Sequence, residues 1–343
     1  MQYPEGSEKR QVVNERESLF ERIISRAKNN RVAACFLVLG TVVIALATFT
    51  DAARRILDLI SGQSPQEARI ELGKMSLEYS PDAFVRSAQR GDLSAIKLFV
   101  AAGMDVNAKN GRGDPALACA AGAGHTAIVR ALIDAKADVL EQDADGRTAL
   151  SEAAYTERID VLQLLLKHDF DVHSRNEAVA KAARSGHTQA LSVLKDAGVG
   201  DHQAWSSALF WAVNSDIPIY DKVPDSIKFL LENGADPNVS KDDSGYSTLM
   251  WAIQRGRIDI GRYLMKHGAD VNAKGADGKT ALMLAIAGGG GGNEDLIKDL
   301  LDHGARTSEK DIHGYTAFTL AGSVLEGDRR KEVIRLLKGS AGR

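Results

Sequence analysis

From about Ser80 onward the chain repeats itself. The phrase that closes each unit appears as Gly103-Met104-Asp105-Val106-Asn107, Lys136-Ala137-Asp138-Val139, Asp169-Phe170-Asp171-Val172 and Gly198-Val199. It returns as Gly234-Ala235-Asp236-Pro237-Asn238, Gly268-Ala269-Asp270-Val271-Asn272 and Gly304-Ala305. The first positions of these phrases are separated by 33, 33, 29, 36, 34 and 36 residues. A second phrase, a turn glycine followed by Ser/Thr-x-Leu, falls at Gly146–Leu150, Gly245–Leu249 and Gly278–Leu282, and at Gly314–Phe318 with Phe in place of Leu. A period of this size describes one small supersecondary unit that cannot bury its own apolar side, so neighbours must stack in a row to do it.

The residues inside each period say what the unit is. Thr148, Ser247, Thr280 and Thr316 stand where a hydroxyl caps the start of a first helix. Leu150, Ala153 and Ala154 give that helix a short apolar face of small residues. Gly91, Gly124, Gly186 and Gly256 supply a turn at positive φ before a second helix. Ile128, Val129, Leu132 and Ile133 form the second helix's apolar face, repeated at Ile227/Leu230/Leu231, Ile260/Leu264 and Leu296/Leu300/Leu301. Gly268 and Gly304 end their helices as left-handed caps. Eight units follow, beginning near Pro81, Gly111, Ala144, Asn176, Gln203, Asp243, Ala276 and Ile312.

This pattern resembles the ankyrin repeat family, a β-turn followed by two antiparallel helices, over roughly residues 81–339. The resemblance implies an all-α solenoid that works by binding other proteins. Departures from the pattern are informative. The family usually carries His one residue after the phrase Leu, where Ala118, Ser151, Phe210, Met250, Met283 and Thr319 stand here, so the loops are expected to be less stiff. Glu157 and Lys136 replace turn and helix-ending glycines, which predicts strained left-handed backbone at both. Segments 215–225 and 288–292 lengthen two units.

Ahead of the array, Val32–Thr50 is nineteen residues without a charge. As a helix it reaches about 28 Å, close to the hydrocarbon thickness of a bilayer of about 30 Å. It is read as a retained transmembrane helix. A buried core helix is one alternative, but nothing nearby in sequence could surround it; a signal peptide is another, but thirty-one residues precede the stretch and it is long for a signal core. The organisation expected is a polar tail over 1–31, the span over 32–50, a juxtamembrane linker or helix over 51–80 and the array over 81–339. Arg22, Arg26, Lys28 and Arg31 before the span outnumber Arg54 and Arg55 after it, which favours a cytoplasmic tail with the repeats on the far, periplasmic side.

Nothing in the repeat demands catalysis. Two cysteines, Cys35 and Cys119, cannot build a disulfide framework or a Cys-based zinc site. The eight histidines form no metal-ligating pair, and Gly278-Lys279-Thr280 lacks the earlier glycine of a phosphate-binding loop. Arg112-Gly113-Asp114 matches an integrin-type tripeptide only because Gly113 is a turn glycine. Cys119, Trp211, Trp251 and Leu284 share one slot, expected to be core between units. No enzyme, cofactor or nucleotide site is expected. Residues 81–343 hold 36 acids and 32 bases, which argues against nucleic acid.

A protein partner is therefore expected, on the concave side to which turn tips and first-helix ends project. By phase these are Arg112, Asp114, Asp145, Arg147, Tyr155, Arg184, Tyr246, Gln254, Arg255, Lys279, His313 and Tyr315, with Trp205 at a turn position. The bilayer is the second expected contact, through 32–50. Two other roles fit the same features: a periplasmic immunity or protective factor for a toxic or redox enzyme, and a membrane scaffold that self-associates.

Overall fold

A computed structural model of the chain describes residues 64–215, 223–239, 243–288 and 293–340. The tail 1–31, the span 32–50, the first part of the linker and the centres of both insertions lie outside the described residues. Among those described, no helix is long and apolar enough to cross a membrane.

The repeat becomes pairs of helices, and each pair starts where its sequence supplies a cap. Unit 1 pairs α2 (Pro81–Arg90) with α3 (Leu93–Ala101), and unit 2 pairs α4 (Ala116–Ala123) with α5 (Thr126–Asp134). Units 3 and 4 are α6 (Ala149–Tyr155) with α7 (Ile159–Leu165), and α8 (Val172–Arg184) with α9 (Thr188–Asp196). Units 5 and 6 are α10 (His202–Val213) with α11 (Asp225–Glu232), and α12 (Thr248–Gln254) with α13 (Ile258–Lys266). Units 7 and 8 are α14 (Ala281–Ala287) with α15 (Asn293–Asp302), and α16 (Ala317–Val324) with α17 (Gly327–Ser340). One further helix, α1 (Pro65–Lys74), precedes them and packs on α3 with Ala68 and Leu72 fully buried. Arg69 lies 4.1 Å above the Tyr79 ring, and both side chains donate to the Ala102 carbonyl. The compact body of the array thus begins at Pro65.

The expected caps form. The hydroxyls of Thr148, Ser247, Thr280 and Thr316 each accept the backbone N–H three residues on. Where the family's His is replaced by Ser151 and Thr319, the new hydroxyl returns the bond to the capping residue's own N–H at 3.0 and 2.7 Å. In these two units the substitute therefore ties the turn rather than loosening it.

From unit 1 to unit 5 first helices pack on their neighbours far more extensively than second helices do. Small residues permit this: Ala116, Ala118, Ala120 and Ala121 of α4 are all buried, as are Ala149, Ala153 and Ala154 of α6. The closer layer takes the inside of the curve, so first helices line the concave side.

Units 4 and 5 differ from the expected pattern. Asp171 and Asp201 cap their first helices directly, accepting N–H groups of Ser174 at 2.6 Å and Ala204 at 2.7 Å. The helices consequently start at Val172 and His202, earlier than the unit starts expected near Asn176 and Gln203, and run 13 and 12 residues against 7 or 8 in α4, α6, α12, α14 and α16. Each cap follows its preceding unit directly, in unit 5 straight after Gly200 at φ 82°, so the loop that other units project is replaced by helix. That accounts for the short 29-residue spacing.

Lys136 and Glu157 adopt φ of 73° and 55°, as their positions require. A β-carbon in this region costs about 1 kcal/mol or more. Lys136→Gly is expected to raise the unfolding free energy of the full chain by about 1 kcal/mol in a urea titration. Glu157→Gly should gain less, because the Glu157 carboxylate also meets His187 Nδ1 at 3.2 Å.

Candidate protein-binding face

The concave rim is built from hairpin fingers, and in units 2, 3 and 8 one acceptor at the base organises the finger. In unit 2, Asn110 Oδ1 accepts the N–H groups of Arg112 and Asp114, both at 2.9 Å. Asp143 Oδ1 does the same for Asp145 and Arg147 in unit 3, and Asp311 Oδ1 for His313 and Tyr315 in unit 8. Asp277 Oδ1 accepts Lys279 N–H in unit 7. These acidic or amide residues were not among the sequence-derived candidates, though the recurrence of Asn110, Asp143 and Asp311 at one phase was a usable signal; Asp277 stands two residues later in its finger. Fingers project in units 2 and 3 and again in units 6, 7 and 8. The long helices of units 4 and 5 separate the two groups.

The first group carries a dense ionic cluster. Arg147 binds Asp143 Oδ2 at 2.8 Å, Asp145 Oδ2 at 2.9 Å and Glu152 Oε1 at 3.1 Å. Arg112 sits exposed beside Asp114, 3.2 Å away. Glu152 on α6 and Glu177 on α8 are largely buried, and burial pushes both carboxyls above the ordinary range, against the pull of Arg147 on the first and Lys181 on the second. Glu177 Oε2 has no hydrogen-bond partner, and its Oε1 is 3.9 Å from Lys181.

The central part of the face is aromatic. Trp211 occupies the slot of Glu152, Lys181, Trp251 and Leu284 on successive first helices. That slot was expected to be core, which holds for Leu284. Trp211 instead leaves 39% of its surface open, edge-on to Phe210 with ring centroids 5.4 Å apart. The reason is positional: two long helices meet here, and among the described residues no finger stands above them to cover the ring. Trp251 is half-buried beneath Arg255, whose guanidinium carbon lies 5.8 Å from the ring centre. Tyr155, Arg184 and Gln254 end their first helices in one slot, all exposed.

Two candidates move off this surface. Tyr246 is only 7% exposed, because its hydroxyl donates to Asp277 Oδ2 of the next finger at 2.8 Å. Trp205 lies within α10 rather than in a turn; its Nε1 donates to the Val199 carbonyl at 3.1 Å and its ring faces Phe229. Lys279 pairs with Asp277 at 2.9 Å, while His313 and Tyr315 sit exposed together at the unit 8 finger.

Cys119, on the same face, is half-buried, and burial pushes its thiol up to about 11. It is a protonated thiol at neutral pH and hence a poor nucleophile. Among the described residues no group of His, Cys, Asp or Glu side chains is arranged to hold a metal ion.

Ionisation of Glu177 has a sign that can be tested. Its native carboxyl holds a proton more tightly than the unfolded one, so native stability falls as pH rises from the ordinary carboxylate value through the raised native one. Gln cannot ionise. Glu177→Gln is expected to stabilise the chain at neutral pH, with the gain vanishing below the ordinary carboxylate range, as read by urea unfolding at both pH values.

Residues 84–176 and 219–311 match the family described as Ankyrin repeats (3 copies), and the interval between them is centred on the two units without fingers. The ankyrin repeat protein YahD of Escherichia coli is 30% identical over 207 residues, covering 57% of this chain and all of that protein. An ankyrin repeat-containing protein of Treponema pallidum is 41% identical over 90 residues, which are 26% of this chain and 28% of that one. The crystal structure of the ankyrin repeat domain of Bcl-3 covers 74% of this chain at 25% identity, with a TM-score of 0.45. With just over half of its residues matched to the family and a whole relative spanned at 30% identity, the chain belongs to the ankyrin repeat family.

Proposed function

We propose that this chain is a membrane-tethered recognition module that captures a folded protein on its concave face and acts by binding rather than by catalysis. Ankyrin repeats mediate protein–protein interaction, and the finer reading rests on one observation. Trp211, Tyr155, Arg184, Gln254 and Arg255 stand uncovered along the first-helix layer, where exposure of a large aromatic ring does nothing for the fold. Trp, Tyr and Arg are the residue types that dominate binding energy at protein interfaces. The ionic cluster around Arg147 lies to one side and supplies charges that orient a partner more than they hold it.

The tether is the apolar segment 32–50, and the basic residues before it support a cytoplasmic tail with the array on the opposite side. A membrane-confined array meets partners at a surface, which raises their effective concentration without any further contact. An alkaline phosphatase fused after Arg343 is expected to be active, whereas activity of a cytoplasmic reporter at the same point reverses the orientation.

The face itself is tested by capture from lysate with the solubilised full chain. Trp211→Ala is expected to weaken recovery of specific partners by at least about tenfold, the loss typical of a central aromatic anchor. Tyr155, Arg184 and Arg255 changed together to Ala should do the same. Equal recovery with all four side chains removed eliminates this face.

A further inference from the structure

Neighbouring fingers repeat one contact, and at unit 8 half of that contact stands open. The complete version joins units 6 and 7. The Tyr246 ring lies against Gly275, where a Cβ would overlap it. The Tyr246 hydroxyl donates to Asp277 Oδ2 at 2.8 Å, and the Ala276 N–H donates to the Ser244 carbonyl at 2.7 Å. One phenol and one carbonyl, two residues apart, thus read a Gly-Ala-Asp turn through three features: an absent side chain, a backbone N–H and a carboxylate.

Unit 8 carries the receiving half in the same register. Gly314-Tyr315 corresponds to Gly245-Tyr246, and the His313 carbonyl precedes Tyr315 as the Ser244 carbonyl precedes Tyr246. The finger is held in place from behind, where Ile312 N–H donates to the Asp277 carbonyl at 3.1 Å. Its outward side is bare: Tyr315 is 46% exposed and Ile312 66%. Among the described residues neither the Tyr315 hydroxyl nor the His313 carbonyl has a hydrogen-bond partner.

We infer that Tyr315 and the His313 carbonyl form a docking site for a tight turn of another protein carrying Gly-x-Asp or Gly-x-Glu. The glycine lies on the Tyr315 ring, the N–H of the middle residue donates to the His313 carbonyl, and the carboxylate accepts from the phenol. The Ile312 side chain adds apolar cover to the incoming backbone. This continues an interface the molecule already uses, so its chemistry is copied rather than invented.

Among its described residues, a second copy of the chain offers no such turn free to dock. Its first finger presents Asn110-Gly111-Arg112, with a side chain where the ring needs glycine and a cation where the phenol needs a carboxylate. Gly111 N–H is already bound by Asp82 Oδ1 at 2.9 Å, which closes that end of the row. The turns Gly103-Met104-Asp105, Gly234-Ala235-Asp236 and Gly268-Ala269-Asp270 spend their middle N–H on the carbonyls of Phe99, Leu230 and Leu264, at the ends of their own helices.

The site stands apart from Trp211, so the two surfaces can be tested separately. The probe is a fluorescent peptide of residues 273–281, cyclised through its ends to hold the finger turn, titrated with the detergent-solubilised full chain and followed by anisotropy. Saturable binding is expected, weakened at least about tenfold by Gly275→Ala or Asp277→Asn in the peptide and by Tyr315→Phe in the chain, and unchanged by Trp211→Ala. Tyr315→Phe removes a hydroxyl with no internal partner and should keep the helical circular dichroism of the parent. Absence of binding at the highest soluble peptide concentration, or equal binding by Tyr315→Phe, overturns the inference. Self-association of the full chain that Tyr315→Phe abolishes overturns the assignment to a foreign partner.

Discussion

At units 1, 2 and 5 carbonyls are left at the end of the first helix, and the next unit supplies a donor. His125 Nε2 meets the Gln89 carbonyl at 3.1 Å, Arg158 Nε donates to Gly122 at 3.2 Å, and Arg257 reaches Val213 at 2.7 Å together with Ser215. Each donor is the residue just after the inter-helix turn, and each lies on the side chain of the following unit. A helix end without partners is costly when covered, so the reach-back fixes where the neighbour must sit. Asparagines do the same beside the second helices: Asn107, Asn238 and Asn272 accept the N–H groups of Asp138, Asp270 and Arg306 across one period. Apolar burial drives the stacking, and these polar bonds set its register.

That division explains why the period tolerates so much change. In units 4 and 5 the finger is gone, yet Asp171 and Asp201 still satisfy the first N–H groups of their helices. The cost falls on the rim, which loses its cover there, and the consequence is the exposed Trp211. One slot along the first helices thus holds Cys119, Glu152, Lys181, Trp211, Trp251 and Leu284 in turn. An equivalent position in a repeat shares backbone geometry but not neighbours, so its side chain can be core in one unit and contact surface in another.

The same distinction marks what could be read from the residues alone. The helix pairs, the hydroxyl caps and the left-handed backbone at Lys136 and Glu157 depend on local sequence and were legible, whereas the Asp171 and Asp201 caps were missed. The burial of Tyr246 was not, because it requires Gly275 and Asp277 from the next unit, and phase alone put Tyr246 on the surface beside Tyr315. Trp205 misled for a related reason: a turn glycine was assumed where Asp201 had already started a helix. Trp211 was assigned to the core by averaging over its slot. Errors in the candidate face arose wherever a side chain's fate depends on the adjacent unit rather than on its own.

Tyr246 and Tyr315 make that dependence explicit. They share a preceding glycine, a finger and a register, and differ in exposure from 7% to 46%. The whole difference is whether a Gly-x-Asp turn follows. In a stacked array the surface that builds the fold and the surface that binds a partner are chemically the same, separated only by whether the chain has filled it. A buried tyrosine in one unit is therefore a physical description of what its exposed counterpart can accept.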